Sequence, residues 1–147
     1  MTTRPTSVSS ELQFRLVVPG TSSLPVRAEL RYDVLDPYAV SVAFFTGSPQ
    51  GTEDVVEWTF ARQLLGDGVA RASGEGDVQV WPSAVGGDAV VCLSLSSPSG
   101  RALFEVPLRA LVDFLSRTYA TVPTGCESDH VDLDAELALL LWAEPET

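Results

Sequence analysis

From Glu11 to Val18 the chain alternates, with Leu12, Phe14, Leu16 and Val18 apolar and Glu11, Gln13 and Arg15 polar. A period of two predicts a strand with one face buried. Residues 24–34, LPVRAELRYDV, repeat the pattern, with Val26, Ala28, Leu30, Tyr32 and Val34 on one face and Arg27, Glu29, Arg31 and Asp33 on the other. PYAVSVAFFT (37–46) continues as a third strand in which Phe44 and Phe45 face opposite ways, and DVVEWTFA (54–61) is a fourth. Between the second and third strands, Asp36-Pro37 forms a turn, because Asp accepts from nearby backbone and Pro fixes φ. The polar run TGSPQGTED (46–54) is a loop. ARQLLGDG (61–68) turns briefly and stops on glycine.

VQVWP (78–82) reads as a short strand stopped by Pro82, and SAVGGD (83–88) as a turn. AVVCLSLS and RALFEV flank SPSG as a hairpin. At Pro107, which suits a first helical position, the period changes. Leu108, Leu111, Val112 and Leu115 make an apolar stripe opposite Arg109, Asp113 and Arg117. A last helix is predicted from about Val131 to Ala143, capped by Asp129. Leu133, Leu137, Leu140 and Leu141 form one stripe on it, and Ala135, Leu139 and Trp142 another. A helix apolar on two sides needs two covers. Leu137, Leu139, Leu140 and Trp142 are expected at an oligomer contact, with burial within one chain as the alternative. The fold class is α+β: an antiparallel, strongly bent sheet or open barrel with two main helices toward the C-terminus. The domain spans 1–147, with residues 1–9 a loose arm.

Composition narrows the function. The net charge is -11 and all nine basic residues are arginine. Long-range attraction to nucleic acid or anionic lipid is disfavoured. No apolar run approaches the roughly 18 residues a spanning helix needs, and the polar start MTTRPTSVSS lacks a signal-peptide core. A cytoplasmic protein is expected. Cys92 and Cys126 are far apart, and Cys92 reads as a small buried hydrophobe.

Few residues offer chemistry. CESDHVDLDAE (126–136) is rich in potential ligands, but Asp132, Asp134 and Glu136 step by two along a helix and so diverge. A calcium loop needs glycine where Leu137 stands. Cys126 and His130 lack a third orienting group for nucleophilic catalysis. The pairs GDG (66–68) and GEG (74–76) do not extend to GxGxxG, and without lysine there is no Walker site. They read as turns needing glycine torsions. Trp58, Trp81, Phe44 and Phe45 could form a stacking platform for single strands, against which the charge weighs. Catalytic, cofactor and metal sites are all expected to be absent.

ELQFRLVV, SSLPV, LRYD with DPYAV, VEWTFARQLL, GDVQVWPS, VVC with LSSPSG, FLSRT, and VP followed by HVDLDAEL occur in order. Together they closely resemble the SsgA-like sporulation and cell-division proteins of actinobacteria. That resemblance implies a non-enzymatic adaptor at division septa that helps recruit and organise the tubulin-like division GTPase FtsZ. It also implies a homotrimer of whirly-like architecture, a second SsgA-like family member as a further partner, and no direct membrane span. A single-stranded nucleic-acid-binding module is the alternative. The chain departs from the family pattern at Phe45, Gln79 and Tyr119, where His, Arg and Asp are usual. Candidate partner surfaces are the loop with Gln50, Glu53 and Asp54 and the acidic segment with Glu127, Asp129 and Asp132.

Overall fold

The computed structural model describes residues 7–20, 22–47, 53–74 and 76–130. These residues form one open antiparallel sheet of seven strands: β1 (Ser7–Leu16), β2 (Leu24–Asp33), β3 (Ala39–Gly47), β4 (Glu53–Ala61), β5 (Val78–Val85), β6 (Asp88–Ser97) and β7 (Gly100–Pro107). The spatial order is β4-β3-β2-β1-β7-β6-β5. Helix α1 (Arg62–Gly68) links β4 to β5, α2 (Leu108–Thr121) follows β7, and a short 3-10 turn covers Glu127–His130.

The alternation read from the sequence is the alternation of burial. Phe14, Ala28, Leu30, Tyr32, Val40, Val42, Phe44, Val80, Leu93, Phe104 and Val106 fall on one face and make the core. That face is strongly curled. Phe44 on β3 and Phe104 on β7 are separated by two strands, about 14 Å in a flat sheet, yet their rings stack at 4.5 Å. Phe14 fits edge-on against both. The edge strands β4 and β5 do not pair with each other, so the barrel stays open.

Several local expectations change. β1 begins at Ser7, so residues 7–9 belong to the sheet and not to a loose arm. Pro82 does not stop β5, which runs on to Val85 as an edge strand. An edge tolerates proline because one row of N–H groups has no ladder partner. The turn shrinks to Gly86 and Gly87. The β3–β4 ladder reaches Gly47↔Glu53, inside the predicted loop. On α2 the buried residues are Leu111, Phe114, Leu115 and Thr118, whereas Val112 is exposed. The 131–143 helix lies outside the described residues.

Of the two main helices, then, the described residues hold α2, and α1 is an additional helix in mid-chain. α1 is short and packs against edge strand β5. Gly68 makes that packing fit, and Gly66 lets α1 approach Tyr119 on α2. A Cβ at Gly68 would sit 2.2 Å from Val80 Cγ1, and one at Gly66 2.7 Å from the Tyr119 hydroxyl. Their role is close approach, not unusual torsion. Gly74 and Gly76 do have positive φ, as a glycine turn requires.

Candidate functional site

The segment LDPY turns the chain from β2 into β3. Asp33 Oδ1 accepts from the Leu35 N–H at 2.8 Å, and Asp33 and Asp36 carbonyls accept from Asp36 and Ala39 N–H. The side-chain capping is therefore done by Asp33, with Asp36 contributing its carbonyl. The buried Tyr32 hydroxyl donates to the Pro37 carbonyl at 3.0 Å. The Arg62 N–H, the first of α1, donates to the Tyr38 carbonyl at 2.8 Å. With its backbone fixed in this way, the corner leaves Leu35 80% and Tyr38 53% exposed.

Behind the corner lies Arg62, 1% exposed. Its Nη1 donates to the carbonyls of Thr118 at 3.1 Å and Val122 at 2.8 Å, and its Nη2 to Glu127 Oε2 at 2.9 Å. The planes of Tyr32 and Tyr119 lie on the guanidinium at 4.8 and 4.2 Å. Burying a charge this deeply costs several kcal/mol unless it is paired and bonded. Here a carboxylate, the Val122 carbonyl just past the end of α2, the Thr118 carbonyl, which also accepts from the Val122 N–H, and two ring faces offset that cost. Glu127 Oε1 in turn accepts from the Gly125 N–H at 2.8 Å. Its own backbone N–H, and then Arg62, hold the Glu127 carboxyl below its ordinary range. Burial pushes the hydroxyls of Tyr32 and Tyr119 up, against the pull of Arg62, so both rings stay neutral. The network ties β2, α1, α2 and the 3-10 turn into one unit.

Nothing in the sequence singled Arg62 out. It stands in ARQLL like any solvated arginine, and its side-chain hydrogen-bond partners lie 56 to 65 residues away. Tyr119 is one of its two rings. Phe45 carries the Arg27 guanidinium at 4.6 Å.

Of the candidate partner residues, Asp54 is exposed on β4, Glu53 opens that strand and Asp129 lies in the 3-10 turn. Glu127, grouped by sequence with the exposed acids, turns inward to Arg62. Gln50 and Asp132 lie outside the described residues, as do Leu137, Leu139, Leu140 and Trp142. The four aromatics considered for stacking are split between faces. Phe44 and Trp58 turn toward the core, whereas Phe45 and Trp81 alternate to the opposite face. They form no single platform. Among the described residues no cluster of His, Cys, Asp or Glu could hold a metal ion. No helix among them is long and apolar enough to cross a membrane.

Residues 26–127 match the family model described as Streptomyces sporulation and cell division protein, SsgA. The chain belongs to the SsgA family. The sporulation-specific cell division protein SsgB of Frankia casuarinae is 60% identical, with 99% of each chain covered. SsgB of Streptomyces coelicolor is 57% identical, over 92% of this chain and 96% of that protein. Among solved structures, an SsgA-like sporulation-specific cell division protein from Thermobifida fusca superposes with a TM-score of 0.81 at 46% identity, covering 94% of this chain and 98% of that one. A Streptomyces coelicolor SsgB structure, described with mutations that correlate to longitudinal cell division during sporulation, has a TM-score of 0.80 at 55% identity, over 88% of this chain and 99% of its own. The family likeness thus spans the curled sheet, α1 and α2 together.

Proposed function

We propose that the chain is a non-enzymatic adaptor in sporulation-specific cell division, which helps recruit and organise the division GTPase FtsZ at septum sites. Relatives named for that process support the setting. The observation that carries the adaptor reading is the corner. Leu35 and Tyr38 are exposed apolar residues on backbone held by a buried, fully bonded network. Exposed apolar side chains on a rigid support suit partner contact, because little ordering entropy is lost on binding. Asp54 and the acidic residues after Glu127 extend the contact surface. Self-association as a homotrimer through Leu137, Leu139, Leu140 and Trp142 would multiply weak contacts by avidity, and a second family member would act alongside.

Sedimentation of purified FtsZ polymers with the wild-type chain tests the proposal. The chain pellets with polymer and increases polymer mass, and the double variant Leu35→Ser with Tyr38→Ser does neither while keeping its melting temperature. Wild-type chain that stays in the supernatant at every salt concentration contradicts the proposal.

A further inference from the structure

We propose that the free edge of β4, from Asp54 to Thr59, is a docking site for a short extended segment of a partner protein, one that joins apolar residues to lysine or arginine and is taken up as an added strand. The two edges of the sheet are unlike. At β5 the outer side is occupied or blunted. The Val80 N–H donates to the Ser73 carbonyl at 2.9 Å, and the Val80 carbonyl accepts from the Ser73 N–H at 2.8 Å. Two residues further on, Pro82 has no N–H to offer, a common guard on an edge strand. β4 has neither device. It pairs with β3 without a slip from Ala39↔Ala61 to Gly47↔Glu53. It holds no proline, and no strand flanks its other side.

Alternation fixes what this edge presents. The Arg62 N–H donates to the Tyr38 carbonyl at 2.8 Å, one step beyond Ala39↔Ala61. Hydrogen-bonded pairs alternate along an antiparallel ladder, so Phe60, Trp58, Val56 and Asp54 turn their main-chain groups toward β3. The Asp54 carbonyl agrees, accepting from Thr46 Oγ1 at 3.2 Å. Val55, Glu57 and Thr59 therefore turn theirs outward. Among the described residues the N–H and C=O groups of all three have no partner.

Beside the edge, on the core face, lies a cavity of about 350 Å³ walled by Val26, Phe44, Val56, Trp58, Leu95 and Phe104. The core-facing side chains of an added strand would stand next to Val56 and Trp58, at the mouth of this cavity. Charge completes the selection. β4 carries acids and no base. Exposed Asp54 has no ion pair among the described residues. Glu57 meets Arg31 at 3.7 Å, and Arg31 is shared with Glu29. Arg101, the charged residue on the far wall of the cavity, is bonded to Ser96 Oγ at 3.3 Å. Bases are thus favoured opposite Asp54 and Glu57, and apolar residues opposite Val55, Val56 and Trp58. An antiparallel occupant reads apolar, base, apolar, apolar, base. A second copy of β4 would bring its own Asp54 and Glu57 to the same ladder, acids toward acids. Residues 131–147 likewise hold acids and no base. This inference deepens the adaptor reading by naming the partner's chemistry. It rests on that reading only for the existence of a partner, and its test does not involve FtsZ.

The probe is a set of peptides selected from a random twelve-residue phage library on the wild-type full-length chain. Enriched peptides should carry bases among apolar residues, and glutamate in place of their lysine and arginine should weaken binding about tenfold or more. Val55→Pro removes an outward N–H without touching the β3 ladder and should also weaken them about tenfold or more. Val55→Ala keeps the donor and should stay within about threefold. In the wild-type complex the amide protons of Val55, Glu57 and Thr59 should exchange more slowly than in the free chain, a readout that needs no variant to fold. The proposal is overturned by any of five results: no peptide is enriched, the glutamate peptides bind as well, Val55→Pro binds as wild type, Val55→Ala loses as much as Val55→Pro, or the three amides are already protected in the free chain. Protection at low concentration would assign the edge to the chain's own residues, and protection only at high concentration to a second copy.

Discussion

The two sides of the core face treat polar groups in opposite ways. At the β2–β3 corner every buried polar side chain is answered: Arg62 by two carbonyls, a carboxylate and two rings, Tyr32 by a carbonyl. At the β1–β7 seam, paired at Arg15↔Glu105 and Leu16↔Phe104, a register that could have continued is cut at Pro107, leaving backbone groups of Glu11 and Gln13 turned to a groove. One region spends its hydrogen bonds on rigidity and the other leaves them open. The difference shows that a charged residue's neighbours in the fold, not its neighbours in sequence, decide whether it is enclosed or left at the surface. Arg62 and Arg109 both precede short apolar stretches, yet the first is fully enclosed and the second lines a groove.

The comparison can be broken first at the clamp. Arg62→Ala takes the ion-pair partner from the Glu127 carboxylate and the side-chain donor from the Val122 carbonyl, and should cost about 3–5 kcal/mol in urea unfolding. Arg62→Lys keeps the charge but loses the planar fork and the stacking, and should fall between the two. An unchanged urea midpoint for Arg62→Ala would remove the clamp from the account. Gly68→Ala pushes a methyl into Val80, and overpacking of this kind should cost about 1–3 kcal/mol. Tyr32→Phe removes the bond to the Pro37 carbonyl but keeps the ring on Arg62, and should cost about 1 kcal/mol.

The pH dependence sharpens the same region. The Glu127 carboxyl titrates below its ordinary value of 4.5 in the folded chain. Its contribution is therefore complete above about 4.5 and fades as pH falls through the lower folded value. Melting temperature against pH should show a steeper acid limb for the wild type than for Glu127→Gln, and identical limbs would mean Glu127 is not coupled to folding. The smallest expected stability effect is at the seam. Gln13→Pro sits at a position whose N–H has no ladder partner, so its melting temperature should stay close to that of the wild type.

Much of the sheet was legible because alternation is local. Leu12, Phe14 and Leu16, or Val26 to Val34, announce a buried face without reference to any distant residue, and the AVVCLSLS–RALFEV hairpin carries its own turn. The LDPY corner was legible as a turn, though not which aspartate caps it. Arg62 was not legible, since its enclosure depends on α2 ending above β2, a long-range fact. In the sequence Gly66 and Gly68 read as turn residues, because glycine's two uses, torsion and close approach, look alike there. In the sequence Pro82 reads as a strand end, because only the sheet order places β5 at an edge. Pro107 was recognised as a helix start, but its effect on the β1 ladder requires knowing that β1 and β7 are neighbours. The family assignment rested on ordered motifs over the whole chain, which is why it survived these local errors.

Amide hydrogen exchange on the wild-type chain reads both regions in one experiment. The amides of Arg62 and Val122, and of Leu12 and Phe14 on the paired side of β1, should exchange only with global unfolding. Those of Glu11 and Gln13 should exchange orders of magnitude faster. Equal protection along both sides of β1, or fast exchange at Arg62 and Val122, would contradict the contrast between a closed corner and an open seam.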